Sequence, residues 1–171
     1  MRIHSERSTY LLLVILILAG CSGYKIPSTP TYASISLKII PTFDAPVEIF
    51  IYSRAHEPYA RMTVQVYSGM GGYDWGEVEH TLTTNIERKV FLDLLASAEK
   101  IDFNSLISSD NYAPEDGSAW VLEIGKSGPS LRLVVMSPIA YTRDRGLERL
   151  VDLALELLEL SEIDMELVKF Y

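Results

Sequence analysis

The pattern that most restricts this chain's folding is a series of four alternating runs between Ile35 and Leu82. In the first, Ile35, Leu37 and Ile39 alternate with Ser34, Ser36 and Lys38; in the second, Val47, Ile49 and Ile51 alternate with Glu48, Phe50 and Tyr52. Met62, Val64 and Val66 then stand against Arg61, Thr63 and Gln65, and Val78, His80 and Leu82 against Glu79 and Thr81. Successive side chains of a strand point to opposite faces, so a two-residue period predicts strands with one buried side. The breaks between runs, at residues 41–46, 54–59 and 68–76, are shorter than the dozen or more residues that a parallel crossover requires. Such a chain is steered to an antiparallel meander.

Beyond residue 83 the period changes. Thr84 and Glu87 stand in capping-box register, and Ile86, Val90, Phe91, Leu94, Leu95 and Ala98 form one apolar stripe, which predicts a helix. Residues 102–117 read as irregular, with Phe103 and Leu106 as plugs for the core. Trp120, Leu122 and Ile124, then Leu131, Leu133 and Val135, predict a hairpin across the turn at residues 125–129. A last helix is expected to open near residues 142–146. It would bury Leu147, Leu150, Val151, Ala154, Leu157 and Leu158 and leave Glu148, Asp152, Glu156 and Glu159 solvated. The tail, residues 163–171, has room for a short strand. The expected fold class is α+β: a single domain over residues 35–171, mainly antiparallel sheet with two helices packed on one face, in the order ββββαββα.

The amino-terminal segment is of another kind. Arg2 and Arg7, against Glu6, precede an apolar run at residues 11–18, which ends in Leu18-Ala19-Gly20-Cys21, and Cys21 is the chain's one cysteine. A charged start, a short apolar middle and small residues at the cut make the plan of a secretory signal peptide. The run from Leu11 to Ala19 is far short of the roughly 20 residues of a membrane-spanning helix. Leu18-Ala19-Gly20-Cys21 resembles the lipobox of bacterial lipoproteins, and every position of the box matches. The resemblance implies diacylglycerol on the Cys21 sulfur, then cleavage between Gly20 and Cys21. In many Gram-negative bacteria a third acyl chain follows on the new amino group. One acyl chain binds a bilayer marginally, at about 0.8 kcal/mol per buried methylene, whereas two or more anchor stably. Ser22 rather than Asp after the cysteine implies export to the outer membrane, facing the periplasm, with the inner membrane as the alternative address. Residues 1–20 are thus expected to be signal peptide and residues 21–34 an acylated Cys with a flexible tether rich in Ser, Thr and Pro. No cofactor beyond the covalent lipid is expected.

With its one thiol acylated, the mature chain has no disulfide and must hold by packing alone. Its formal net charge of −8 becomes one unit more negative when Arg2, Arg7 and Glu6 leave with the signal. This balance argues against nucleic acid, which takes a basic face, and against adhesion to anionic headgroups.

Motifs of chemistry are sparse. Gly125-Lys126-Ser127 lacks the earlier glycine of a phosphate loop, since position 120 is Trp, and a strand rather than a helix follows. His56 and His80 stand at no metal-ligand spacing from the nearby acids, so no metal site is expected. A serine-hydrolase elbow is missing and the thiol is taken by lipid, so no catalytic residue is assigned. For glycan cleavage, Asp74 beside Trp75 and Glu123 near Trp120 pair an acid with a stacking ring, although Trp120 alternates with core residues. The glycine-rich loop at residues 68–76, with Met70, Tyr73, Asp74 and Trp75, is the candidate recognition loop; the plainer reading folds its rings back onto the sheet. Arg143 and Arg145 set positive charge at a helix start, fit for a phosphate or an acidic partner or simply solvated. Asp116-Gly117 followed by Trp120 and Glu123, a turn running into a strand, resembles uncharacterised bacterial envelope proteins and implies no activity. The expected function is a non-enzymatic, lipid-anchored periplasmic module that binds an envelope protein or another envelope component. The alternatives are a peptidoglycan- or glycan-active enzyme using carboxylates and a carrier of a small ligand between sheet and helices.

Overall fold

The computed structural model describes residues 32–163 and Val168. The signal segment with Gly20, the acylation candidate Cys21, the chain up to residue 31 and most of the tail expected to add a strand lie outside the described residues.

Six strands form one antiparallel sheet: β1 (Tyr32–Pro41), β2 (Val47–Arg54), β3 (Tyr59–Tyr67), β4 (Val78–Glu87), β5 (Ser118–Lys126) and β6 (Leu131–Met136). Their order across the sheet is β4-β3-β2-β1-β5-β6. The expected meander grows from one side of β1, and the β5–β6 hairpin adds to the other side. The central strand therefore pairs twice. Ile35 lies opposite Ile51 and Ile124, Leu37 opposite Ile49 and Leu122, and Ile39 opposite Val47 and Trp120. Cross-strand contacts of branched and aromatic side chains are what stabilise a sheet face. All nine of these residues are buried in the core.

Three helices close that core: α1 (Arg88–Ala98), α2 (Phe103–Ser109) and α3 (Glu148–Leu160). Phe91, Leu94, Leu95 and Ala98 of α1, and Leu150, Leu153, Ala154, Leu157 and Leu158 of α3, belong to the same buried cluster as the inner sheet residues. The helices and the sheet thus make two layers around one core, and the α+β class holds.

The finer expectations need correction. Among the described residues the order is ββββααββα, with three helices rather than two. The added helix, α2, lies in the stretch expected to be irregular, where Phe103 and Leu106 are buried as anticipated. Its start is fixed by Asp102, whose Oδ1 accepts from the Ser105 N–H at 3.0 Å. So short a helix forms only by tertiary packing, so its periodicity carries little signal. The capping box at Thr84 and Glu87 does not form. Strand β4 continues to Glu87, with Ile86 opposite Ala60 and Glu87 opposite Tyr59, and Glu87 makes no side-chain cap bond to α1. Ladder bonds to β3 and the β-branched residues Thr81, Thr83, Thr84 and Ile86 outweigh the cap signal. The guanidinium of Arg88 instead ties the helix start to the β2–β3 turn, donating to the carbonyls of Arg54 and Glu57 at 2.5 and 3.2 Å.

Three smaller shifts remain. Strand β1 begins at Tyr32, so Tyr32, Ala33 and Ser34, expected in the tether, are laddered to β2 and β5. A bulge after Val66 sets Val78 opposite Tyr67 while His80 stays opposite Val66, which takes Val78 out of phase with His80 and Leu82. In α3 the buried stripe includes Leu153, and Val151 is only partly covered.

This topology sorts the connections. Strand β1 ends at Pro41, opposite Ser118 of β5, and the segments 42–46, 68–77, 110–117 and 137–147 all gather at that end. At the opposite end of the sheet lie Tyr32 and the short turns at 55–58 and 127–130.

Candidate functional site

The loop at 68–77 continues its hairpin beyond the strands. Ser68, Gly69 and Met70 donate N–H bonds to the carbonyls of Glu77, Trp75 and Asp74 at 2.9, 2.9 and 2.8 Å. Its tip is clamped to the 42–46 segment, because Gly71 donates to Asp44 O at 3.0 Å and Gly72 to Thr42 O at 3.1 Å. Glycine is required by this contact: a Cβ on Gly71 would sit 2.3 Å from the Pro41 carbonyl oxygen.

The four candidate recognition residues therefore divide. Trp75 packs edge-on against Tyr67, with ring centres 5.0 Å apart, and the Lys38 ammonium lies 5.9 Å from its ring. Asp74 accepts from the Gly76 N–H at 3.0 Å. Both thus serve the loop's own architecture. Met70 and Tyr73 are exposed, and the Tyr73 ring lies 6.1 Å from Phe43 on the neighbouring loop.

On the far side, Arg145 organises the segments 110–117 and 137–147. Nε and Nη2 bond both oxygens of Asp110 at 2.8 and 2.7 Å. Nη1 donates to the carbonyls of Ser137 and Ala140 at 2.9 and 3.0 Å, and Nη2 donates to that of Met136 at 2.8 Å. All five guanidinium donors are thus used. The cation also covers the Tyr112 ring at 4.6 Å. Bonds from Arg145 hold the Asp110 carboxyl below the usual carboxylate range, against the opposing pull of burial. The reading of Arg145 as a site for a phosphate or an acidic partner is corrected: its charge is matched within the fold. Arg143 is exposed.

Gly117 joins the two sides. Its carbonyl accepts from both the N–H and the hydroxyl of Thr42, each at 2.8 Å. Its φ is 143°, and a Cβ there would lie 2.0 Å from Ser137 Oγ, so no larger residue fits the junction.

Between these walls opens a cavity of about 520 Å³, lined by Phe43, Tyr112, Ile139 and Ala140 with Asp44 and Asp116 among them. Sequence reasoning missed it. Phe43, Tyr112 and Ile139 stand singly in aperiodic loops, and Asp116-Gly117 was the one local cue nearby.

The carboxylate–aromatic pairs fare differently. Trp120 lies in the buried inner face, whereas Glu123, three residues on, points to the other face and accepts from Ser130 Oγ at 2.7 Å. The two cannot flank one sugar. His80 is exposed on edge strand β4, and Gly125-Lys126-Ser127 spans the end of β5 and the start of its turn. Among the described residues no three His, Cys, Asp or Glu side chains gather as a metal site, and no helix is long and apolar enough to cross a membrane. No protein-family model matches this chain, and no curated protein is significantly similar to it.

Proposed function

We propose that this chain is a bacterial lipoprotein, acylated at Cys21 after cleavage of residues 1–20, whose α+β domain is a non-enzymatic binding module at the periplasmic face of the outer membrane. The address rests on Leu18-Ala19-Gly20-Cys21 standing directly behind a short apolar run. The binding role rests on one geometric observation: the aromatic cavity and the exposed rings of Phe43, Tyr73 and Tyr141 share the sheet end remote from Tyr32. Strand β1 has 10 residues, and the steps of about 3.3 Å between them separate its ends by roughly 30 Å. A domain held through its amino-terminal side would carry those loops away from the bilayer, free to meet an envelope component.

Two measurements test the two halves. Fatty-acid labelling in growing bacteria is expected to mark the wild type and to spare Cys21→Ser; equal labelling of both refutes the lipid anchor. A photo-crosslinking residue at Tyr73 or Tyr141 is expected to capture an envelope component in intact cells. A matched position on the exposed face of α3, such as Asp152, is expected to capture none. Identical patterns from the loop positions and from Asp152 refute the binding surface.

A further inference from the structure

We propose that the loop-lined cavity binds a small organic cation, an apolar ring or branched body joined to a protonated amine. The proposal rests on the binding-module reading and deepens it by naming the chemistry of the occupant. A volume of about 520 Å³ falls within the roughly 300–1,000 Å³ usual for small-ligand pockets. Two of its apolar walls face solvent: Phe43 is 53% exposed and Ile139 45%. The backbone on either side of Phe43 is held by the bonds of Thr42 to Gly117 and of Gly71 to Asp44, and that on either side of Ile139 by the bonds of Arg145 to Ser137 and Ala140, so a ligand meets a preformed surface and little loop ordering opposes binding.

Charge selects among apolar ligands. Asp44 and Asp116 line the cavity, and among the described residues neither carboxylate forms an ion pair. Of the two cations in the adjoining 137–147 segment, Arg145 is neutralised by Asp110 and has no donor left to offer, and Arg143 is exposed and does not line the cavity. Two carboxylates without an ion-pair partner thus share the cavity lining with the Phe43 ring, whereas the Tyr112 ring is already covered by Arg145, and the chain as a whole is at −8. A cation gains from both the carboxylates and the exposed Phe43 ring. A neutral ligand of the same shape gains only from burial, and an anion is repelled.

Three probes with one apolar body separate these cases: 4-phenylbutylamine, 4-phenylbutanol and 4-phenylbutyrate. They are titrated into the ¹⁵N-labelled full chain in zwitterionic detergent, following the amide signals of Asp44, Gly117 and Ala140. The amine is expected to shift these amides saturably. The alcohol should bind about tenfold more weakly, and the carboxylate should leave the signals in place. The double variant D44N/D116N, with an unchanged melting temperature, is expected to lower amine affinity to that of the alcohol. I139R is expected to abolish binding of all three. Equal responses to the three probes, no response to any, or an amine affinity untouched by D44N/D116N would overturn the proposal. Capture of a protein through Tyr141 in cells, without any amine response, also overturns it while leaving the binding-module reading intact. A saturable amine response in a chain that takes up no fatty acid upholds the cavity's chemistry and removes only the anchor.

Discussion

Replacing Arg145 with Met removes the one guanidinium that fastens two of the four loops at the cavity end. The side chains of Arg145 and Asp110 are only 10% and 9% exposed, so the pair is not a solvent-screened surface contact. Deleting one partner leaves a largely buried carboxylate without its counter-charge and takes a donor from three backbone carbonyls, of which that of Ser137 keeps its bond from the Ala140 N–H. Breaking such a pair costs about 3–5 kcal/mol, a large part of the roughly 5–15 kcal/mol that holds a typical domain folded. At about 2–4 °C per kcal/mol for a domain of this size, the melting temperature of R145M should fall by roughly 6–20 °C. Circular dichroism melts and urea titrations read this directly. A second variant, R145M/D110L, should recover much of the loss, because a neutral apolar pair leaves no buried charge unmatched. The pH dependence has a definite sign. Asp110 is held below its ordinary pKa, so its contribution is fully present above about pH 4. It fades as the pH falls through the depressed value. The difference between wild type and R145M must therefore shrink in acid. A loss below about 1 kcal/mol, as for an exposed pair, or a difference that grows in acid, would refute the assignment of Arg145 as the fastener.

Two further outcomes are expected. Gly71→Ala brings a Cβ within 2.3 Å of the Pro41 carbonyl oxygen, so the loop must shift at a cost of about 1–3 kcal/mol; urea titration gives the loss, and the Tyr73 amide signal should move with it. Tyr67 has its phenol pKa raised, first by burial and then by the nearby Glu48 carboxylate. Stability should therefore decline as the pH rises above about 10, and Tyr67→Phe should lessen that decline in melts taken from pH 9 to 11.

What the amino-acid sequence reveals of this molecule follows the range of its signals. The inner residues of β1, β2 and β3, from Ile35 to Val66, are legible because a two-residue period repeats over several positions, and the short breaks between them leave few ways to connect. The start of α1 is misread because Thr84 and Glu87 match a cap pattern while Ala60 and Tyr59, more than 20 residues earlier, supply ladder partners that keep the chain extended. Local propensity loses there to pairing that a local reading does not include. Arg145 is misread for the same reason, since its carboxylate partner is 35 residues away. The cavity is the least legible part. Phe43, Tyr112 and Ile139 come from three separate loops with no period, and only the strand order brings them together. The candidate loop was half informative: its glycines marked a close approach of backbones, but that approach serves docking onto residues 42–44 and commits Asp74 and Trp75 to the loop itself.

The position of β1 has a mechanical consequence. It is the strand through which the chain comes in, and it is laddered on both flanks, to β2 from Tyr32 to Ile39 and to β5 from Ala33 to Pro41. Antiparallel ladder bonds run perpendicular to the strands. Tension between an amino-terminal tether and a partner held at the far loops would run along β1 and shear both ladders at once, rather than peel one strand from an edge. Many bonds would then have to yield together, so a domain wired in this way would bear a sustained pull at Tyr32 without unravelling from the pulled end.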